Sequence, residues 1–384
     1  MLLYCLLVMV MLGISDGLRG VFLPVFEGKF LLTHLQSSLI IMASYAGNLL
    51  FLTFGGRVLD RVPRKGFLTG ITLIWIAALV LYVLTSSYWV LVIGMVCSLG
   101  ASTMLSSALN ITAPMFFMQT AMMVNLFNFA QGVGLVTVQN LGGRTAGQPP
   151  DPAFSGWHWW NLGLVIAGIL SLVLLAFIRF PAHKPDAEAP AKTGGLLKNP
   201  AAPFLLVLFG TYYIAEHGLE NWMVTYGSQT LGMTAERAAL YLSLFYGGIT
   251  AGRLLFAPLV QKLGELRSMA VFTVAGTLLY VAGILLGRGG LVLLCLSGLA
   301  FSILYPTLVV TVSLYYPASQ NGAAFGFIAG IATLFDVVFN LGFGALADAV
   351  GFSRAILILP ASIVVFCVTF LVMQRRCRPL KGGA

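Results

Sequence analysis

Charge is what this chain most lacks. Only 9% of its 384 residues are Asp, Glu, Lys or Arg, while 59% are hydrophobic. Soluble domains carry roughly 25% charged residues, so a soluble fold is excluded and the bilayer is the expected solvent. Cysteine and histidine are also scarce, at five and four copies. Cys5, Cys97, Cys295, Cys367 and Cys377 are scattered and fall mostly in apolar stretches, which argues for buried thiols and against a disulfide framework. Neither residue type shows metal-ligand spacing. No nucleophile, base and orienting group form a recognisable set, so an enzyme is not expected. The first apolar segment has no basic start and no small-x-small cleavage site, and it carries Asp16 and Arg19 inside it. It reads as a retained helix and not as a signal peptide.

What is present is a series of long apolar runs. A membrane helix needs about 20 such residues, and the chain offers twelve segments, near 3–26, 36–58, 67–86, 89–111, 119–142, 159–180, 203–227, 238–261, 268–287, 290–315, 321–346 and 353–374. Single runs of this length satisfy their own backbone in lipid only as helices. The net charge of +9 does not point to nucleic acid, because the positive residues lie in short segments between the runs. With the N-terminus inside, Arg57, Arg61, Arg64, Lys65, Arg179, Lys184, Lys192, Lys198, Lys262, Arg267 and the cluster from Arg375 to Lys381 become cytoplasmic. That bias predicts both termini in the cytoplasm. Residues 145–158, with Pro149, Pro150 and Pro152, read as an outer loop too rich in proline for a helix. Residues 181–199 are polar, with Pro185, Pro190 and Gly194-Gly195, and divide six segments from six. The expected fold is an all-α membrane protein of twelve transmembrane helices in two pseudo-symmetric six-helix bundles, residues 1–180 and 200–384, joined by a cytoplasmic linker at 181–199.

The halves echo each other at a spacing of about 200 residues. Asp16 and Glu216 each sit mid-way through an apolar segment, and Gln139-Asn140-Leu141-Gly142 recurs as Phe339-Asn340-Leu341-Gly342. Thr33 opens the second segment as Thr-x-x-Gln, which fits a capping box; Thr234 holds the equivalent place without the partner. Two such halves enclosing a central site and rocking about it is a transporter design.

Ionisable groups at bilayer depth are costly and so are functional candidates. Here they are Asp16, Arg19, Glu216, Glu220, Arg253 and Asp336, with His217 beside them. Asp16 and Arg19 are i,i+3 and can share a face. Glu216 and Glu220 are one turn apart, with Tyr212 a turn before; two carboxylates so placed do not both ionise cheaply, so one is expected to hold a proton. Arg253 braces or gates the cytoplasmic end of the eighth segment. Asp336 lines the site or gates it, and His217 is either a neighbour of the proton site or a packed interhelical donor. Neutral polar residues form the other set. Asn128 and Gln131 on the fifth segment, Tyr45 and Asn48 on the second, and Ser102, Ser106 and Asn110 on the fourth recur at helical spacing. Helix–helix glue explains the serines. Amides together with Tyr212, Trp222, Tyr246 and Tyr305 suit a sugar, with amides bonding hydroxyls and rings stacking on C–H faces; Trp222 reads equally as an interface anchor. Pro306 is expected to kink the tenth segment.

Gly56-Arg57-Val58-Leu59-Asp60-Arg61-Val62-Pro63-Arg64-Lys65 resembles the cytoplasmic loop signature of the major facilitator superfamily, with Pro63 where the family has Gly. A worn second copy lies near Gly264 and Arg267. Within that superfamily, Gln131-Gly132-Val133-Gly134, Ala215-Glu216, Asn221-Trp222, Ser302 to Thr307 and Thr333 to Gly344 look like the fucose-permease branch of sugar–proton symporters. The resemblance implies Asp16 as the acid handling protons, and Asp60 and Arg61 as an inner latch. The branch also uses an acid on its fourth helix, and residues 89–111 contain none. Proton coupling would then fall to Glu216 or Glu220, or the chain would be a uniporter. The expectation is a transporter in the inner membrane, without a cofactor other than the coupled proton, taking a small polar solute such as a sugar and acting as a monomer. A proton-driven exporter of organic cations, suggested by Met115, Phe116, Phe117, Met118, Met122 and Met123, and a non-transporting nutrient sensor remain open.

Overall fold

The computed structural model describes residues 1–59, 61–84, 86–118, 120–180 and 195–380. Among them there are helices and turns and no strand. Twelve helices have 18 or more residues: α1 (Leu2–Phe30), α2 (His34–Leu59), α3 (Arg64–Leu84), α4 (Tyr88–Thr112), α5 (Thr120–Thr137), α6 (Pro150–Phe177), α7 (Ala202–Thr225), α8 (Ala235–Leu255), α9 (Glu265–Leu285), α10 (Leu291–Tyr315), α11 (Ala318–Val350) and α12 (Ile358–Arg376). Ten are long and apolar enough to cross a membrane. The two that fall short are α5 and α7, because α5 carries Asn125, Asn128 and Gln131 and α7 carries Glu216, His217, Glu220 and Asn221. The helices that miss the apolar criterion carry Asn128, Gln131, Tyr212, Glu216, Glu220 and Trp222 of the candidate residues.

The helix ends differ from expectation where proline and π-turns intervene. The segment 150–158 is helical, not loop: α6 starts at Pro150, in the first turn, where a missing N–H leaves no bond unmade. Pro306 sits inside α10 without ending it. Both α5 and α7 run into a π-turn, Val138–Gly142 and Tyr226–Thr230, a widening that hydrophobic spacing does not reveal. The expected eighth segment breaks at Phe256 into α8 and a short helix, Ala257–Leu263.

The chain divides into two compact units. The first comprises Met1–Ala187, Asn221–Ser243 and Asn340–Ala349; the second comprises Glu188–Glu220, Leu244–Phe339 and Val350–Ala384. Within the first, α3 packs on α4 and α6; within the second, α9 packs on α10 and α12, the same pairing six helices later. Aromatic rings fill both cores. Trp157 meets Phe22, Phe26 and Tyr82 in the first unit, and Phe301 meets Phe245, Tyr280 and Tyr212 in the second.

The internal repeat also shows in how backbones touch. A Cβ on Gly100 of α4 would collide with the Gly47 carbonyl of α2. Some 200 residues on, a Cβ on Gly298 of α10 would collide with the Phe245 carbonyl of α8, and Gly248 of α8 abuts Gly298 in return. In lipid such close approach is a main source of helix association, because burying more apolar surface gains little there. The α1–α5 crossing is built the same way, with Gly13 against Gln131 and Gly134 against Val10. Gly134→Leu is expected to cost roughly 1–3 kcal/mol, read as a lower Tm of the detergent-purified protein. Gly70→Leu, with no atom within 4 Å of its Cβ position, is expected to stay within about 0.5 kcal/mol of wild type.

Candidate functional site

In the first unit Asp16 sits mid-way along α1, half-buried. Its carboxylate accepts from Ser102 Oγ of α4 at 2.8 Å and from Gln131 Nε2 of α5 at 3.1 Å. Ser106 Oγ donates to the other end of the Gln131 amide at 3.5 Å. Two helices thus supply donors to this acid, through a hydroxyl and an amide. Asn128, one turn before Gln131, is half-buried and makes no hydrogen bond among the described residues. With its amide nitrogen turned toward the acceptors, Asn48 donates to Thr103 Oγ1 and Leu99 O of α4.

One turn further along α1, Arg19 is buried at 3% exposure. Its Nε donates to Asn221 Oδ1 at 2.8 Å, Nη1 to Ser44 Oγ at 2.7 Å and Nη2 to Tyr45 OH at 3.3 Å. The guanidinium also lies 4.9 Å from the Tyr45 ring centroid, and Asn221 Nδ2 donates to Tyr45 OH at 3.0 Å. The planar fork of arginine suits three acceptors set in different directions. Asn221, at the end of α7, thereby shares a closed network with α1 and α2.

Beyond this hub the start of α2 is capped completely. Thr33 and Gln36 form the expected box, with Gln36 N–H to Thr33 Oγ1 at 3.2 Å and Thr33 N–H to Gln36 Oε1 at 3.0 Å. The two remaining N–H groups of the first turn, on His34 and Leu35, donate to the two oxygens of Asp348 at 3.0 and 2.9 Å. A carboxylate there meets both the free donors and the positive helix end. Nearby, Gln229 donates to Glu27 at 3.0 Å, and Arg144 lies 3.9 Å from Glu236. Thr234 caps α8 through the Arg237 N–H at 3.3 Å, half of the Thr33 arrangement.

In the second unit, α7 lays Tyr212, Tyr213, Glu216, His217 and Glu220 along its length. Tyr212 stacks on Tyr305 at 5.8 Å, and Tyr213 stacks on the His217 ring at 4.8 Å. His217 Nδ1 lies 2.7 Å from Asp336 Oδ2 on α11, with Asp336 1% exposed. Tyr246 of α8 donates to Glu220 at 3.3 Å, and Tyr280 pins α9 to the Ala215 carbonyl at 2.8 Å. Glu216 remains half-exposed beside this cluster. Arg253 is half-buried at the last turn of α8, and its Nε makes no hydrogen bond among the described residues. Trp222, beyond Asn221, is fully buried in the first unit, donating to Asn340 Oδ1 at 3.2 Å and packing on Phe343 at 4.6 Å.

A sequence-family model for the Major Facilitator Superfamily matches residues 5–335. The chain belongs to the major facilitator superfamily. It is a multi-pass membrane transporter and not an enzyme. A search of the curated proteins found no match. Among solved structures it is similar to a fucose–proton symporter variant from E. coli (18% identity, TM-score 0.67, 97% of this chain and 98% of that one). It is also similar to a D-xylose–proton symporter (15%, 0.77, 100% and 98%) and to a variant of a nucleoside transporter (13%, 0.78, 97% and 99%). At these identities the likeness speaks for the fold.

In this superfamily member the loop signature has a visible local task. Arg64 donates to the Leu59 carbonyl at 3.0 Å, and Lys65 to the Ala176 and Ile178 carbonyls at 2.7 and 3.0 Å. The basic pair thus caps the ends of α2 and α6. Arg61 lies in the exposed turn between α2 and α3, and Asp60 lies outside the described residues. Ser44, Asn221, Gln229 and Asp348 were not singled out as site residues from sequence. Their partners are 25 to 314 residues away, so only Asn221, beside the Glu220 carboxyl, carried a local signal. Asp348→Ala is expected to cost roughly 1–2 kcal/mol, seen as a lower Tm, with Asp348→Asn losing about half of that because one acceptor oxygen remains.

Proposed function

We propose that this transporter carries a small polar solute, best a sugar, in symport with protons, through alternating access of twelve transmembrane helices in the inner membrane. It is read as a monomer with both termini in the cytoplasm. The observation that carries the reading is Asp16, a half-buried carboxylate mid-way along an apolar helix, where it accepts from Ser102 and Gln131. An ionisable group at that depth is a functional candidate, and a carboxyl there suits a coupling acid. In the first unit Asn128 and Gln131 supply amides that suit a sugar's hydroxyls; in the second, Tyr212, Tyr213 and Tyr305 form an aromatic cluster of the kind that stacks on C–H faces. The network of Arg19 with Tyr45 and Asn221, and the Asp348 cap on α2, tie helices together within the first unit. The Asp60–Arg61 loop serves as an inner latch, with Arg253 bracing the cytoplasmic end of α8.

The exporter reading draws less support. Phe116 packs on Phe180 at 5.1 Å and Phe117 on Phe127 at 6.0 Å, while Met118 is fully exposed. The aromatic part of that run is spent on local packing beyond the end of α4. The test is the internal pH of proteoliposomes as L-fucose, D-galactose, D-xylose, uridine or tetraphenylphosphonium is added outside. Acidification by one sugar is expected, and its loss in Asp16→Asn. Alkalinisation by the cation would replace this reading with export. Uptake of labelled sugar with no pH change would mean uniport.

A further inference from the structure

Two helices, α7 and α11, belong to both compact units. α7 passes from the second unit to the first between Glu220 and Asn221, and α11 does so between Phe339 and Asn340. A polar staple joins these helices on each side of that passage. On the second-unit side it is His217 Nδ1 to Asp336 Oδ2, at 2.7 Å. On the first-unit side it is Trp222 Nε1 to Asn340 Oδ1, at 3.2 Å. The staples lie five residues apart on α7 and four on α11, so about one turn separates them. Only one can titrate. Indole and amide hold the same charge at every physiological pH, whereas imidazole changes charge in that range.

We propose that His217 and Asp336 form a second proton-binding site, distinct from Asp16, whose protonation sets how firmly α7 grips α11. The geometry is suited to the task. Asp336 is 1% exposed, whereas His217 is 26% exposed, so the imidazole edge exchanges protons while the carboxylate stays locked in the core. Tyr213 stacks on the ring with an interplanar angle of 30°, which fixes the plane in which Nδ1 points at Asp336. The other ionisable groups around the pair are Glu216 and Glu220 of α7, Tyr213 beside them and Tyr305 of α10. Arg253 is the cation of the set, acting on Tyr212 and Tyr305. Three carboxyls therefore share this region with one imidazole and one guanidinium.

With its proton, His217 is an imidazolium in a charge-assisted hydrogen bond to a buried carboxylate, the strong form of the contact. Losing that proton to water leaves a neutral ring against the same anion. The bond weakens, and the α7–α11 grip then rests on Trp222 and Asn340. The proposal rests on the transport reading and deepens it by adding a titrating element on the two helices shared by both units, and it is testable without substrate.

The experiment places spin labels at Leu31→Cys and Leu286→Cys, 87% and 61% exposed, with the five native cysteines replaced, in reconstituted full-length protein. The distance distribution is measured by electron double resonance between about pH 6 and pH 10.5, a span wide enough to carry an imidazole paired with a carboxylate through its change of charge. A pH-dependent shift is expected in the wild-type background. It is expected to vanish in His217→Gln, in Asp336→Asn and in the double variant, whose paired amides keep a neutral hydrogen bond and so the fold. Trp222→Phe and Asp16→Asn are expected to retain it. No shift in the wild-type background, or a shift that survives His217→Gln, overturns the proposal. Failure of the sugar reading would appear separately, as no sugar acidifying the liposomes while the pH-dependent shift persists.

Discussion

Hydrocarbon offers no hydrogen bonds, and most of what distinguishes this molecule follows from that. A buried guanidinium needs acceptors from within the protein. Arg19 draws Ser44 and Tyr45 of α2 and Asn221 of α7 around it. One buried charge on α1 therefore sets where three helices converge. The same constraint explains why the first turn of α2 ends on the Asp348 carboxylate and why the last carbonyls of α6 end on Lys65. Each contact satisfies a helix-end group that the helix itself leaves open, and each joins helices distant in sequence.

Asp16 and Asp336 show the two ways of holding an acid in such a medium. Asp16 accepts from Ser102 of α4 and Gln131 of α5. Asp336 is buried on α11 against His217 of α7. The first joins α1 to its neighbours through hydroxyl and amide, the second joins α11 to α7 through an imidazole.

Much of the architecture was legible before any coordinates, because long apolar runs have few options in lipid. The helices, the capping box at Thr33, and the polar character of α5 and α7 all follow from spacing and composition. Asp16 with Gln131, and Arg19 with Tyr45, were legible as candidates because charge and amides stand out against an apolar background. Their true partners were less so. Asn221 and Asp348 look like ordinary polar residues near helix ends until the fold brings residues 202 and 314 positions away beside them. The proline-rich stretch before α6 misled because proline opposes a helix interior but suits its first turn. The π-turns at Val138–Gly142 and Tyr226–Thr230 leave no periodic trace short enough to read.

The glycine crossings indicate which helix pairs are fixed and which can adjust. Gly13 and Gly134 bring the backbones of α1 and α5 together, as Gly100 and Gly298 do for the α2–α4 and α8–α10 pairs. Backbone against backbone leaves nothing to rotate away. Between α7 and α11 the glycines meet rings instead: Gly210 faces Phe335, and Gly218 faces Phe339 and the Leu359 side chain. Rings and aliphatic tips re-pack by changing rotamer, which backbone carbonyls cannot do. The α7–α11 seam is therefore held by exchangeable side-chain contacts, His217 with Asp336 and Trp222 with Asn340, over a compliant layer.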